Sequence, residues 1–291
     1  MKQNLRIQFP NIVSVSDTVD NLSKPNSHVV ALYLKDDNIA RIPAQLEAKM
    51  PDGSVQSIAT EVISESGDAT PHLNQGDTVA DVRDASYIGS ICCAVQSISN
   101  PSIKGIVTSA HIFTHGNYDT DNNSVLSADL RRDVLLEGKA QAKWFYKQML
   151  PDQDFIVAKL NDGISEDDIT NLKRFNNRYY DITDADVQNR TVVSILAHGG
   201  KKTDAYILDK NINYPFKYAN GSFFKTNIIL IGNTKIRKSS LPVSTSGDSG
   251  SPVFVTINNE DHLVGILLGS NQKFTFVLPV KDTISNGFNL I

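Results

Sequence analysis

The sequence predicts a mainly β chain with a small N-terminal α/β module, and three observations carry that reading. Short apolar runs separated by turn residues recur through residues 79–291, about ten in all, which favours a closed or double β-barrel over a helical or parallel α/β arrangement. The stretch SESGDATPHLNQGD, residues 64–77, has linker composition and sets off residues 1–78 as a module of their own. With 291 residues, 40% hydrophobic and 21% charged, the chain has a globular composition and enough length for a sizeable core.

In the module, Asp17 is placed to cap a short helix around Val19–Leu22. The run VVALYL, Val29–Leu34, reads as a strand, and a second covers Ser57–Ile63 after the turn signal Pro51-Asp52-Gly53. Beyond residue 78 the expected strands are Tyr87–Gln96, Lys104–Thr108, Asp133–Glu137, Phe155–Leu160, Thr191–Leu196, Ala205–Leu208, Phe223–Ile231, Val253–Ile257, His262–Leu268 and Phe274–Leu278. One helix is expected among them, capped by Ser165 and Asp168, with Ile169, Leu172 and Phe175 as its apolar face. A short helix near Lys281–Asn286 closes the chain. There is no internal repeat and no low-complexity tract.

Charge narrows the function classes. Lys and Arg number 28 against 32 Asp and Glu, a net charge of −4, so no basic excess exists to neutralise a phosphate backbone or an anionic membrane surface. Neither a nucleic-acid nor a membrane partner is expected. The longest apolar stretches, such as NIILI at 227–231, fall far short of the roughly 20 residues of a spanning helix. The opening MKQNLRIQFP lacks the apolar run of a secretory signal, which gives a cytoplasmic expectation. Cys92 and Cys93 are sequence neighbours, too close for ordinary disulfide geometry, and read as two positions of one buried strand.

The most informative stretch is STSGDSGSPVF, Ser244–Phe254. A nucleophilic serine needs a tight turn whose backbone amides face a developing oxyanion, and glycines permit that path. Gly247-Asp248-Ser249-Gly250 supplies those parts, although a plain polar turn has the same composition. The lipase pattern G-x-S-x-G fails, because residue 251 is serine. A base is available in His111, which follows a strand in GIVTSAHIF, Gly105–Phe113. His115 invites a metal reading, but HIFTH lacks the glutamate of zinc-protease helices and no third ligand cluster is visible, so no metal or other cofactor is expected. The carboxylate that orients the imidazole is Asp154, heading DFIVAKL, with Asp152 its nearest rival.

Taken in order, His111, Asp154 and Ser249, with gaps of 43 and 95 residues, resemble the chymotrypsin/trypsin-like serine proteases. TSAH resembles their T-A-A-H motif, DFIVAKL their D-I-A-L-x-x-L motif, and GDSGSPVF their G-D-S-G-G-P-V motif. The resemblance implies two six-stranded antiparallel β-barrels over residues 79–291. It makes Ser249 the nucleophile, His111 the general base and then acid, Asp154 the orienting group, and the amides of Gly247 and Ser249 the oxyanion hole. VGILLGS, residues 264–270, resembles the strand along which such enzymes lay a peptide, which makes Leu267, Leu268 and Gly269 substrate-binding. Val243, with Ser244 beside it, falls at the base of the specificity pocket; without a carboxylate there, an uncharged apolar residue is expected before the cleaved bond.

Residues 29–64 are similar to the N-terminal module of unsecreted bacterial trypsin-like proteins and their plant narrow-leaf relatives, and GGKKTDAYILDKN resembles their G-x-T-T-G-x-T-x-G hairpin, with departures at Lys201, Asp204 and Tyr206. His198, just before it, reads as a barrel residue. The I-V-G-G start of secreted trypsins is missing, so Asp248 lacks its familiar ammonium partner. Ile112 stands where secreted enzymes carry a disulfide cysteine, in keeping with a reducing compartment. Ser251 replaces the second glycine, as in glutamyl endopeptidases, but the histidine that reads glutamate would fall at Leu267. The expected function is an intracellular serine endopeptidase acting on a protein or peptide substrate, with a regulatory protein partner by family analogy; the alternative is a silent protease-fold scaffold. The module is expected to rest on Val29, Ala31, Leu32, Leu34, Ile58 and Val62 and to pack on the following domain, bracing the first barrel or the oxyanion loop.

Overall fold

The computed structural model describes residues 5, 9–20, 27–36, 42–49, 53–64, 67, 69–71, 79–81, 84–121, 124–126, 132–137, 139–169, 172–197 and 200–291. Four strands, β1 (Ile12–Asp20), β2 (Ser27–Leu34), β3 (Gln45–Lys49) and β4 (Val55–Ile63), form an N-terminal sheet in the order β1-β2-β4-β3. The β2–β4 pair is parallel and the others antiparallel. Where a capped helix is expected around Val19, the chain is instead the end of β1, and residues 21 and 22 lie outside the described residues. The alternation Val13, Val15 and Ser14, Ser16 is a strand's period, and pairing with the apolar β2 outweighs one local cap signal.

Strand β2 faces two cores. Val30, Leu32 and Leu34 pack with Ile12, Val15, Ile58 and Val62 in the module, whereas Ala31 and Tyr33 point the other way, into the main cluster with Tyr214, Phe216 and Phe274. Every one of these β2 side chains is buried.

The remaining strands are β5 (Thr70–Pro71), β6 (Val79–Asp81), β7 (Asp84–Gly89), β8 (Cys93–Ser97), β9 (Lys104–Thr108), β10 (Ser124–Val125), β11 (Asp133–Leu136), β12 (Lys139–Leu150), β13 (Gln153–Leu160), β14 (Val192–Leu196), β15 (Lys202–Tyr218), β16 (Gly221–Gly232), β17 (Pro252–Ile257), β18 (Glu260–Ser270), β19 (Thr275–Pro279) and β20 (Phe288–Leu290). The fold is mainly β. The antiparallel pairings β17-β14-β15-β16-β19-β18 return to β17 and close a ring of six. The other large sheet runs β20-β8-β9-β13-β12-β11-β6-β7. Strands β7 and β8 are two halves of the expected Tyr87–Gln96 strand, interrupted at 90–92, and counted as one they close a second six-membered ring through β9, β13, β12, β11 and β6.

Other departures from expectation have local causes. Strand β12 escapes the sequence pattern because a bulge between Trp144 and Tyr146 shifts its phase: Ala142 and Trp144 are buried before it, Lys147 and Met149 after it. Three irregularities likewise break the alternation of β15. The Ser165–Asp168 capping box forms, but it caps a single 3-10 turn, Glu166–Asp168, and the backbone is extended at Ile169; Ile169 and Phe175 are still buried. A helix at Asp184–Asn189 has its own capping box, Thr183 with Asp186. The closing helix spans Lys281–Ile284. No helix among the described residues is long and apolar enough to cross a membrane.

The module docks on the second ring through buried polar groups. Asp209 of β15 accepts hydrogen bonds from the Tyr33 hydroxyl (2.5 Å) and the Ser16 hydroxyl (3.0 Å), and Arg237, itself buried, pairs with Glu61 at 2.7 Å. Among the described residues the extensive contacts of the module run along β15, the Asp184–Asn189 helix and the 237–239 turn, so the brace falls on the second ring. Asp209→Ala leaves Tyr33 and Ser16 with unpaired buried hydroxyls and is expected to cost about 3 kcal/mol. Chemical denaturation of the two proteins checks it; an unchanged midpoint would show that the contact carries no stability.

Candidate active site

His111 sits on a 3-10 turn, Ala110–Ile112, directly after β9, and Asp154 is the second residue of β13, the strand paired with β9. That pairing brings together two side chains 43 positions apart. Asp154 Oδ1 accepts the His111 backbone amide at 3.0 Å, and its Oδ2 lies 3.1 Å from His111 Nδ1. Asp152 is exposed in the turn before β13, so the choice between the two aspartates falls to Asp154.

Burial alone pushes the Asp154 carboxyl up, but the His111 imidazole, the Lys225 ammonium and the hydrogen bonds from His111 more than offset it and hold the group well below the usual carboxylate range. An ionised carboxylate only accepts, so Nδ1 donates in this hydrogen bond and Nε2 is the ring nitrogen that Asp154 does not engage. Nε2 is buried and has no hydrogen-bond partner among the described residues.

Two further residues complete this site, and no motif announced them. The Tyr218 hydroxyl donates to Asp154 Oδ2 at 3.0 Å. Lys225 Nζ lies 3.8 Å from the same oxygen, donates to the carbonyls of Leu150 and Gln153, both at 2.8 Å, and stands 5.0 Å from the Tyr118 ring centroid. Both arrive from the β15–β16 hairpin, whose pairing no local spacing encodes. A lysine in the largely apolar FFKTNIILI was the one available signal.

Tyr218→Phe removes a hydrogen bond to a charged acceptor and, on the peptidase reading proposed below, is expected to lower kcat about tenfold with KM little changed. Equal loss in KM would show that the hydroxyl binds substrate instead of positioning Asp154.

Burial lowers the Lys225 ammonium to about 8 against the pull of the Asp154 and Asp152 carboxylates. Between pH about 8 and the ordinary lysine value of about 10.4, the unfolded chain therefore holds a proton the folded chain has lost, and this group's contribution to stability rises with pH across that window. Lys225→Met should abolish that rise; a parallel pH dependence in both proteins would contradict the assignment.

Ser249 stands on a turn made possible by Gly247 and Gly250, at φ +94° and +91°. A Cβ on Gly250 would lie 2.2 Å from the Ser90 carbonyl oxygen and 2.4 Å from Thr108 Oγ1, so this turn presses on the end of the strand that leads to His111. The Ser90 amide in turn donates to the Ser249 carbonyl at 2.7 Å. Asp248 does not wait for an ammonium partner: its carboxylate caps its own loop, accepting the Thr245 amide at 2.8 Å and hydroxyl at 3.2 Å. The expected oxyanion donors, the amides of Gly247 and Ser249, bracket Asp248, whose own amide is spent on the Thr245 carbonyl at 3.1 Å.

Ser249 Oγ donates to the Leu268 carbonyl at 3.0 Å, and not to His111 Nε2. Ser249 and His111 are fully buried, and Asp154 is 2% exposed. Leu267 and Leu268, on β18, are buried as well, and Gly269 follows them on the same strand. Val243 is half-buried with its amide on Thr275 Oγ1 (3.0 Å), and the Ser244 hydroxyl meets the same oxygen at 2.8 Å. His115 pairs with buried Asp81 at 3.3 Å and stacks on Tyr87. His198 lies outside the described residues.

No known protein family matches the chain by sequence, and no curated protein does. Solved structures to which it is similar include three proteases. Protease A of Thermobifida fusca is 15% identical, over 75% of this chain and 98% of that one, with a TM-score of 0.46. A glutamic-acid-specific serine protease is 15% identical over 75% and 100%, at 0.46. The chymotrypsin of Cellulomonas bogoriensis is 15% identical over 75% and 98%, at 0.45.

Proposed function

We propose that the chain is a serine endopeptidase in which Ser249 attacks the peptide carbonyl, His111 takes its proton and returns it to the leaving amine, and Asp154 fixes the imidazole and stabilises its cation. The observation that carries this reading is the His111–Asp154 pair, bonded twice and sealed from solvent, with the opposite nitrogen Nε2 without a partner among the described residues. A structural histidine in so dry a place would have both nitrogens satisfied. The Gly247 and Ser249 amides supply the oxyanion site, and the β18 edge at Leu268 and Gly269 takes the substrate as an added strand, with Leu267 beside it committed to Ser251 and Gly250. In the resting arrangement a rotation of the Ser249 side chain has to carry Oγ from Leu268 to Nε2 before attack.

Its place of action is the cytosol of a bacterial cell, on a dedicated protein or peptide substrate and under a regulatory partner; the free, buried Cys92 and Cys93 suit a reducing compartment. A second reading, a silent protease-fold scaffold, draws on the Ser249–Leu268 bond. Peptide-library cleavage beside a Ser249→Ala control separates the two. Turnover by the unaltered chain alone supports the protease, and cleavage after apolar residues is expected from Val243 at the pocket base; preferential cleavage after Lys or Arg would overturn that specificity.

A further inference from the structure

One edge of β18 is followed along its length by three partners in turn. Strand β17 pairs with it as far as Pro252 opposite Ile266. The nucleophile loop comes next: Leu267 donates its amide to Ser251 and accepts that of Gly250, both at 2.9 Å, and the Leu268 carbonyl takes the Ser249 hydroxyl. Immediately beyond lies β5, antiparallel, with Pro71 opposite Gly269 and Thr70 opposite Ser270. The other edge of the same residues belongs to β19.

Strand β5 comes from the stretch whose composition reads as a linker, yet its start is firmly held. The Tyr214 hydroxyl donates to the Gly67 carbonyl at 2.8 Å. Ala69, fully buried, donates to the Pro215 carbonyl at 3.2 Å and accepts the Lys217 amide at 2.8 Å. The segment is thereby pinned to β15 one residue from Tyr218, whose hydroxyl holds Asp154. A linker chosen only for reach would not bury a residue or lend its backbone to two strands.

Given the peptidase reading above, on which this inference rests, we propose that Ala69–Pro71 is a resident substrate-like strand. It occupies the edge of β18 beside Ser249, and an extended peptide must displace it to be cut. The burial of Ser249 and His111 is what such a closed state entails, and the activity of the chain is then set by whatever loosens β5. A competing peptide binds with an affinity reduced by the fraction of chains in which the edge is vacant.

Thr70 and Ser270 are direct cross-strand partners, and such Cα pairs lie about 4.5–5.5 Å apart, within reach of a disulfide. The test is Thr70→Cys/Ser270→Cys in the full-length chain, read in oxidised and reduced forms of the same protein, so that folding is controlled within the experiment. In a Ser249→Ala background, binding of a fluorescent synthetic peptide with the sequence of residues 67–76 is followed by anisotropy. With Ser249 intact, labelling by a serine-directed fluorophosphonate is followed.

Oxidation is expected to weaken peptide binding roughly tenfold or more, with recovery on reduction, because the locked strand removes the vacant fraction. Equal binding by both forms, or binding by neither, would overturn the proposal. If binding switches with redox state but the reduced form takes no label, the resident strand stands and the peptidase reading fails.

Discussion

Ser249→Ala and His111→Ala are each expected to lower peptide hydrolysis by about 100,000-fold, with the melting transition retained, because nucleophile and base act as one unit and neither works alone. Asp154→Asn follows at about 10,000-fold: an amide in place of the carboxylate turns the imidazole to the wrong tautomer. The cost is compounded here because Asp154 also accepts from Tyr218 and faces the buried Lys225 ammonium, which would be left without its countercharge. Asp152→Asn, altering an exposed turn residue, should leave the rate unchanged. Kinetics on one peptide substrate check all four, and an exchange of effect between the two aspartates would refute the assignment of Asp154.

A chain beginning at residue 79 is expected to lose about 5 kcal/mol or more of stability and to be recovered largely insoluble. The module's β2 supplies Ala31 and Tyr33 to the main core, where the Tyr33 ring meets Tyr214 and Phe274 edge-on at 6.1 and 5.8 Å. Its removal bares those aromatic side chains, each worth about 1.5–3 kcal/mol of burial, and strips Asp209 of two donors. Against a total of about 5–15 kcal/mol, that loss is decisive. A soluble truncated chain melting as the full one does would show that the module is an accessory. Deletion cannot report on the resident strand, since it takes part of the core with it; the cross-link can.

The His111–Asp154 pair and the Ser249 turn were legible because each residue lies in a short local pattern: a histidine after a strand of small residues, an aspartate heading an apolar strand, a serine close to two glycines. Strand positions after residue 84 were legible for the same reason, wherever a short apolar run, or less often an unbroken alternation, lay between turn residues. The bulge at Trp144–Tyr146 defeated that signal in β12, and the irregularities of β15 hid all but its Ala205–Leu208 core. Tyr218 and Lys225 were missed because their partnership with Asp154 depends on pairing across 64 and 71 positions, and the one local mark, a lysine in a largely apolar strand, does not name its partner. Thr70–Pro71 misled in the opposite direction: its polar, proline-containing surroundings read as linker, and its ladder partners lie some 200 residues away on β18. The chain is strand as far as Asp20, where a helix is expected around Val19, because a cap signal is a local preference and β2 offers a whole strand to pair with.

The central claim is that His111 activates Ser249. Exposure of the unaltered full-length chain to a fluorophosphonate, followed by peptide mass mapping, tests it most directly. One adduct per chain is expected, on Ser249, forming slowly as the closed site opens and absent from His111→Ala. A folded chain that carries no adduct on Ser249 after prolonged exposure, or one labelled equally without His111, would contradict it.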